Sequence, residues 1–246
     1  TPNANWEATA PTTVWNTPPQ LGWSSFGVAD GRAFTIVARD GDRGQKTEMC
    51  VALNADTGKE LWSVALGDSD YGHDGGNAGA PDNQGGDGPR STPSTDGKLV
   101  FVYDSHMVLR CLNAADGELV WKQDIVSDFD GRQIKWLNAT SPLLIGETIY
   151  VGGGGKGQSF LAFRKTSGDV IWKTGDETIT HATPTFAEIN GTRQVIFFVQ
   201  SGLVSVRADD GQQLWRSKFP FNVSTAASPV VEDASVYCSA GYGVGA

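Results

Sequence analysis

The sequence predicts an all-β protein folded as a β-propeller of four-stranded antiparallel blades, and two observations indicate this fold. The first is composition: of 246 residues, 31 are Gly and 8 are Trp, and only 19% carry a charge. Such a composition is typical of many short strands joined by turns, and it excludes a coiled coil or a disordered chain. The second is a tryptophan-terminated segment that recurs at intervals of about 40 to 60 residues, a period typical of propeller blades.

The repeated segment has four copies, each with a glycine four residues before its tryptophan. The copies are Val51–Trp62, Arg110–Trp121, Leu161–Trp172 and Val204–Trp215. Their glycines are Gly58, Gly117, Gly168 and Gly211. In each copy an alternating strand leads into a tight turn, where glycine supplies the positive φ that the turn needs. A second strand follows and is expected to end at the tryptophan, whose large ring would pack between neighbouring blades.

Another pair of strands precedes the second, third and fourth copies, and each pair starts at a Ser/Thr-Pro dipeptide. The sequence therefore predicts four complete blades plus partial blades at both ends. The expected blades are residues 22–62, 90–121, 138–172 and 181–215, with a partial blade at 222–246 and a lone last strand at Thr13–Trp15. We expect one domain, 1–246, that is part of a larger ring completed by further sequence or a second chain. The alternative is that 222–246 and 1–15 together form a fifth blade.

Charge and cysteine content exclude several classes of partner and site. The net charge of −9 argues against nucleic acid and anionic membranes as partners. No apolar run is long enough to span a bilayer. We expect any targeting peptide either to have been removed or never to have existed. Cys50, Cys111 and Cys238 are odd in number and contain no CxxC pair, so neither a disulfide framework nor a zinc site is expected.

The copy LNADTGKELW at Leu53–Trp62, the Ser/Thr-Pro starts and the strand Ile149–Gly153 (IYVGG) resemble the PQQ-like β-propeller repeat. That superfamily contains the quinoprotein alcohol dehydrogenases and the non-catalytic propeller lipoproteins of outer-membrane assembly. The resemblance extends from about Trp15 to Gly241. It is specific for the fold, but it leaves the function open, because this fold serves both enzymes and scaffolds.

The resemblance implies where a quinone would bind if this chain were an enzyme. In the dehydrogenases an arginine at the start of an inner strand binds PQQ, and Glu and Asn side chains of the following blades hold calcium. Arg90 could be that arginine; the alternative is an arginine that pairs with a neighbouring carboxylate or lines the channel. Lys156 occupies the stretch of the calcium-binding Glu and would repel the metal. Gln200 lies where Asn is expected. If the alignment shifts by a few residues, Glu147 or Glu188 could serve as the carboxylate ligand of calcium.

Other candidate residues give weaker indications. Asp68, Asp70 and Asp74 lie in a glycine-rich segment that could bind calcium or be a solvated insertion. His181 could face the channel or be an isolated hydrogen-bonded histidine. Asn138 and Asn222 fit the glycosylation pattern, but both lie at blade starts, where short polar turns are expected.

Two functional hypotheses remain from the sequence. The first is a non-catalytic binding or scaffold module, periplasmic or extracytoplasmic, whose loop-rich face binds a protein or glycan and which needs no cofactor. The alternative is an alcohol dehydrogenase-like oxidoreductase that depends on PQQ and calcium.

Overall fold

The computed structural model describes residues 10, 12–41, 46–69, 88–221, 225–241 and 243–246. Asp70, Asp74 and Asn222 lie outside the described residues. The described part is an all-β protein that contains four four-stranded antiparallel sheets, so the predicted fold class is confirmed. In every sheet the strands pair in chain order, as expected for propeller blades.

Blade 1 contains the longest strands that the structure describes, three of nine residues each. Blade 1 consists of β1 (Gly27–Ala29), β2 (Arg32–Asp40), β3 (Lys46–Asn54) and β4 (Glu60–Asp68). Blade 2 consists of β5 (Ser94–Thr95), β6 (Leu99–Tyr103), β7 (Val108–Asn113) and β8 (Leu119–Asp124). A single helical turn follows, α1 (Ile125–Asp128), which begins at the side chain of Asp124 as its cap.

The next two blades have the same order of strands. Blade 3 consists of β9 (Leu143–Ile145), β10 (Thr148–Gly152), β11 (Phe160–Arg164) and β12 (Val170–Thr174). Blade 4 consists of β13 (Thr185–Ile189), β14 (Thr192–Val199), β15 (Gly202–Arg207) and β16 (Gln213–Lys218). A two-stranded sheet follows, β17 (Val230–Glu232) and β18 (Ser235–Tyr237).

The first strands of the sheets lie side by side and set the shape of the arc. β1 neighbours β5, β5 neighbours β9, β9 neighbours β13, and β13 neighbours β17. The first strand of every blade therefore lies on the inner side of the arc and the fourth strand on the outer side. The hydrophobic core lies between blades: Phe34 and Ile36 of blade 1, for example, are in one buried cluster with Val100 and Val102 of blade 2.

The expectation that each outer strand ends at its tryptophan is wrong. β4 continues beyond Trp62 to Asp68, and the other three outer strands also pass their tryptophans. In each blade the strand pairing shifts by one residue just before the tryptophan, which leaves the preceding aliphatic residue unpaired. These bulged residues are Leu61, Val120, Ile171 and Leu214. A bulge of this kind turns the following side chain, here the indole, toward the neighbouring blade.

Each tryptophan of blades 1 to 3 packs on the turn glycine of the next blade. Gly117 has φ +80°, and a Cβ built on it would lie 2.8 Å from Cε3 of Trp62; Gly168 and Gly211 have the same relation to Trp121 and Trp172. The three indole N–H groups donate to backbone carbonyls of the same turns, to Ala114 at 3.1 Å, Lys165 at 2.8 Å and Ala208 at 2.8 Å. A side chain other than hydrogen at these turn positions would displace the indole.

The tryptophans at the two ends of the arc, Trp15 and Trp215, differ in the hydrogen bond of the indole N–H. Trp15 packs on Gly58 of blade 1 and donates to the carbonyl of Ala55 at 2.8 Å, although residues 13–15 form no strand. Trp215 instead donates to Oε1 of Gln194, within its own blade, at 2.7 Å. The same motif therefore has two different hydrogen-bond partners.

Candidate binding face on the inner side of the arc

The connections of the blades are divided between two faces. Because successive strands run in opposite directions, the links between blades and the loops between second and third strands share one face, here called the loop-rich face. It contains the longest described connections, residues 125–142, 153–159 and 175–184. The other face contains the tight turns at Gly58, Gly117, Gly168 and Gly211. Binding residues are expected on the first of these faces, because loops on a rigid scaffold are where function concentrates.

A belt of hydroxyl groups ties the blades together on the inner side. The N–H of Ser25 donates to Oγ1 of Thr92 at 3.0 Å. The N–H of Thr92 donates to Oγ of Ser141 at 2.9 Å, and that of Ser141 to Oγ1 of Thr183 at 2.9 Å. Thr92, Ser141 and Thr183 are the residues of the Ser/Thr-Pro dipeptides. The Ser/Thr-Pro dipeptides thus predicted where strand pairs start, but not that their hydroxyl groups would connect neighbouring blades.

Arg90 and His181 occupy equivalent positions in blades 2 and 4, each two residues before the belt residue of its blade. The equivalent residue in blade 3 is Ala139, and the chain just before it makes a turn at Trp136 and Leu137. Nη1 of Arg90 donates to the carbonyl of Trp136 at 3.4 Å. Nε2 of His181 lies 3.0 Å from the carbonyl oxygen of Leu137. Arg90 and His181 thus hold two consecutive carbonyls from opposite sides.

The turn at Trp136 and Leu137 has an unusual backbone. Trp136 has φ +69° and Leu137 has φ +58°, so two consecutive bulky residues are in the left-handed region. Bulky residues rarely adopt this conformation, and it is found mainly where neighbouring structure enforces it, often at functional sites. Neither of these two residues is a glycine or an asparagine, so no turn was expected here from the sequence.

The turn also places an aromatic ring beside a cation. Nζ of Lys135 lies 4.6 Å from the centre of the Trp136 ring, a cation–π contact, and Lys135 is exposed. The rings of Trp136 and His181 are 6.1 Å apart and meet edge to face at 61°. Together, Lys135, Trp136, Arg90 and His181 form the feature that we call the inner cluster.

Burial is the main cause that lowers the pKa of His181 below its ordinary value. The positive charge of Arg90 lowers the pKa further, whereas hydrogen bonds to the carbonyls of Leu137 and Lys135 oppose the shift. His181 is therefore neutral near neutral pH. In that state Nε2–H serves as a hydrogen-bond donor to Leu137.

Asn138 is a structural residue of the loop-rich face. It is only 1% exposed, and its Nδ2 donates to the carbonyls of Asp104 at 3.0 Å and Thr140 at 3.3 Å. Its Oδ1 accepts from the N–H of Thr140 at 3.1 Å. The side chain thus joins a loop of blade 2 to the start of blade 3, and its burial leaves no room for a glycan.

The remaining candidate residues lie apart from the inner cluster. Asp68 is at the end of β4, and its carbonyl oxygen lies 3.1 Å from Nε2 of His106. Over the ranges that the structure describes, no three His, Cys, Asp or Glu side chains are grouped as a metal site. Burial raises the pKa of Cys50 and Cys111 to about 12, which keeps both as neutral thiols. The described helical segment is too short to cross a membrane.

Comparison with known proteins gives one family and a set of related folds. The family model described as outer membrane protein assembly factor BamB matches residues 45–246. BamB from Moraxella catarrhalis superposes with a TM-score of 0.57 at 12% identity, covering 92% of this chain and 72% of that one. Quinohemoprotein alcohol dehydrogenase ADHIIG from Pseudomonas putida HK5 superposes with a TM-score of 0.62 at 17% identity, covering 84% and 36%.

A third solved structure gives a similar result. Quinohemoprotein alcohol dehydrogenase from Comamonas testosteroni has a TM-score of 0.60 at 15% identity, covering 88% of this chain and 38% of that one. This chain therefore spans little more than a third of either dehydrogenase. No curated protein sequence matches it. At these identities the similarity to solved structures is one of fold.

Proposed function

The chain belongs to the outer membrane protein assembly factor BamB family of PQQ-like propellers, and we propose that it is a non-catalytic module that binds a protein partner on its loop-rich face. We place it outside the cytoplasm, as expected for a relative of an outer-membrane assembly factor. The observation that carries this proposal is the inner cluster, in which a strained turn presents Trp136 and Lys135.

The contacts of the inner cluster fit a binding role. A non-glycine residue in the left-handed region costs about 1 to 3 kcal/mol, so the Trp136–Leu137 turn is a conformation that the surrounding structure enforces. Arg90 and His181 enforce it by holding its carbonyls. Tryptophan is among the residues that contribute most to protein interfaces, and an adjacent cation adds electrostatic specificity.

The quinoprotein alternative fits these residues less well. A quinone would require the Arg90 guanidinium, which here donates to the Trp136 carbonyl. Calcium prefers anionic oxygen ligands, and the stretch at Lys156 offers a cation instead. We therefore derive no reaction step through PQQ, and we expect the chain to act without it.

Site-specific cross-linking tests the proposed partner site. A photo-reactive amino acid at Lys135 and, separately, at Trp136 is expected to capture the same protein from an envelope extract of the source organism. The matched control places the same group at Asp209, in a turn on the opposite face. The captured protein, once purified, should bind the native chain and lose most of its affinity for Trp136→Ala. Equal capture from Asp209, or full binding by the variant, would refute the proposal.

Titration with the quinone tests the alternative separately. We expect no saturable heat when PQQ is added with or without calcium, and no alcohol oxidation with an artificial electron acceptor. Calcium-dependent binding at micromolar affinity, abolished in Arg90→Ala, would establish the dehydrogenase-like site instead.

A further inference from the structure

A pocket of about 350 Å³ lies between three connections of the loop-rich face, residues 125–142, 153–159 and 175–184. Its lining includes Arg132 and Lys156, on two loops here called the cationic wall, and Asp176 and Glu177, on a third segment here called the acidic wall. We propose that this pocket binds a small acidic zwitterion, an amino acid with two carboxylates and one ammonium group. The inference is independent of the proposed protein partner.

The cationic wall is formed by two loops that approach each other closely. Gly155 donates its N–H to the carbonyl of Phe129 at 2.8 Å, and a Cβ at Gly155 would lie 2.6 Å from the carbonyl oxygen of Asp130. A Cβ at Gly131 would lie 2.5 Å from the carbonyl oxygen of Ile125. Only glycine allows such contacts, so the residues next to these glycines, Arg132 and Lys156, are brought to the same wall by a fixed backbone.

Side-chain contacts reinforce the same two loops. Nε2 of Gln158 donates to Asp130 at 3.0 Å, and Nζ of Lys173 donates to Oε1 of Gln158 at 2.7 Å. Lys173 is thus engaged behind the pocket. Within the described ranges, neither Arg132 nor Lys156 has a carboxylate within ion-pair distance. Two positive charges of the pocket lining are therefore not balanced by an ion pair among the described residues.

The acidic wall contains one carboxylate that is already balanced and one that is not. Glu177 accepts from Oγ of Ser201 at 2.7 Å and forms an ion pair with Arg216 at 2.9 Å. Its N–H donates to Oγ of Ser159 at 2.7 Å, which fixes the backbone of this wall. Asp176 is exposed and forms no ion pair among the residues that the structure describes.

The charge balance determines the ligand class. With Glu177 neutralised by Arg216, the pocket presents two cations and one anion, so the complementary ligand has two acidic groups and one ammonium. Guanidinium and ammonium groups bind carboxylates well, and Asp176 would receive the ligand ammonium. Pockets for small molecules start near 300 Å³, so this one suits a ligand of amino-acid size. Ile179, only 5% exposed, supplies an apolar contact for the ligand's methylene groups.

Calorimetric titration with three related ligands tests the charge pattern. L-Glutamate is expected to bind with a Kd below about 1 mM, whereas glutarate, which lacks the ammonium, and L-glutamine, which lacks one carboxylate, should each bind about tenfold more weakly. Absence of saturable binding of glutamate at millimolar concentration, or equal binding of all three ligands, would overturn the proposal.

Variants locate the site and separate its two walls. Arg132→Gln and Lys156→Gln should each weaken glutamate binding about tenfold, whereas Lys218→Gln, at an exposed lysine at the end of β16 that does not line the pocket, should leave it unchanged. Asp176→Asn should weaken glutamate binding and leave glutarate binding unchanged. All four positions are exposed, and an unaltered thermal midpoint shows that each variant folds. Loss of binding in Lys218→Gln, or unchanged binding in both cation-wall variants, would place the ligand elsewhere. Capture of the partner by a cross-linker at Trp136 is expected to be unaffected by the pocket variants, which keeps the two proposals separable.

Discussion

The tryptophans of blades 1 to 3, which contact the next blade at what we call internal joints, and the tryptophan of blade 4 belong to the same sequence motif. Their indole N–H groups nevertheless have different hydrogen-bond partners. At the internal joints the indole N–H leaves its blade; that of Trp121, for example, donates to the carbonyl of Lys165 in the next blade. In blade 4 the indole N–H of Trp215 donates to Gln194 of the same blade, whose Oε1 also accepts from Oγ of Ser205 at 2.6 Å. The motif therefore sets the position of the indole ring, whereas the residues around the ring determine which group accepts a hydrogen bond from the indole N–H.

After blade 4 the structure describes no turn between a third and a fourth strand that could accept the indole N–H, and the residues around the tryptophan also differ. In each blade one residue of the second strand pairs with the third-strand residue that in turn pairs with the tryptophan. In blades 1 to 3 this second-strand residue is aromatic, and its ring centre lies 5.8 Å (Phe34), 6.1 Å (Phe101) or 5.8 Å (Tyr150) from that of the indole. In blade 4 that residue is Ile196, and the small residue paired with the tryptophan is Ser205. In blade 4, hydrogen bonds among Gln194, Ser205 and Trp215 thus replace the contact between two aromatic rings.

The largest expected effect is at an internal joint. Trp121 is 9% exposed and contacts both its own blade and the next. Trp121→Ala is expected to lower the free energy of unfolding by about 3 to 5 kcal/mol, as for other buried aromatic truncations. Urea denaturation measures the change, and an unaltered midpoint would contradict the role assigned to the joint.

Two glycine variants separate the cost of backbone strain at positive φ from the cost of a steric clash with the indole. Gly117 has φ +80° and would place a Cβ 2.7 Å from Val64 and 2.8 Å from Trp62, whereas Gly146 has φ +58° and open space around it. Gly117→Ala is expected to lower the free energy of unfolding by about 2 to 4 kcal/mol, since it adds a clash to the strain, and Gly146→Ala by about 1 kcal/mol. Equal losses would mean that the indole moves aside freely.

The hydrogen bonds of the two kinds of joint can be compared by removing the donor. Trp121→Phe leaves the Lys165 carbonyl without its indole partner and is expected to cost about 1 to 2 kcal/mol. Trp215→Phe is expected to cost less than about 1 kcal/mol, because Ser205 still donates to Gln194. Calorimetric unfolding of both variants makes the comparison; a larger loss for Trp215→Phe would reverse the order proposed here.

The smallest expected effect is a pH dependence at His181, near the start of blade 4. The N–H of His181 donates to the carbonyl of Thr225, and burial holds the side-chain pKa below its ordinary value. The unfolded chain therefore binds a proton at His181 more readily than the folded one, so stability is lost as pH falls below about 6.5, through the unfolded value toward the lowered folded pKa. Unfolding curves between pH 5 and 8 should show this trend, and His181→Asn should reduce it. An equal slope in the variant would assign it to other groups.

The sequence predicted features that depend on local spacing and missed those that depend on distant residues. Glycine at a fixed distance from tryptophan is a local signal, and Gly58, Gly117, Gly168 and Gly211 all have positive φ. The bulge before each tryptophan also falls at a local signal, the aliphatic residue that precedes the tryptophan in every copy. The alternation of apolar and polar residues did not show that this aliphatic residue would be left unpaired. The turn at Trp136 and Leu137 could not be predicted, because residues of two other blades, Arg90 and His181, hold it in place. The destination of the Trp215 N–H likewise depends on Gln194, a residue of another strand.

The hydroxyl belt has a direction, and this has a consequence for how such proteins arise. Thr92 and Ser141 each donate their N–H forward to the next blade and accept on their hydroxyl from the blade behind, so a repeat of this kind carries one donor and one acceptor. A duplicated repeat inserted into the gene would therefore bring matched bonding groups at both of its borders, without change to its neighbours. Stability in such arrays is approximately a sum of repeats and their nearest-neighbour contacts. The belt thus makes the repeat a unit of genetic duplication as well as a unit of structure.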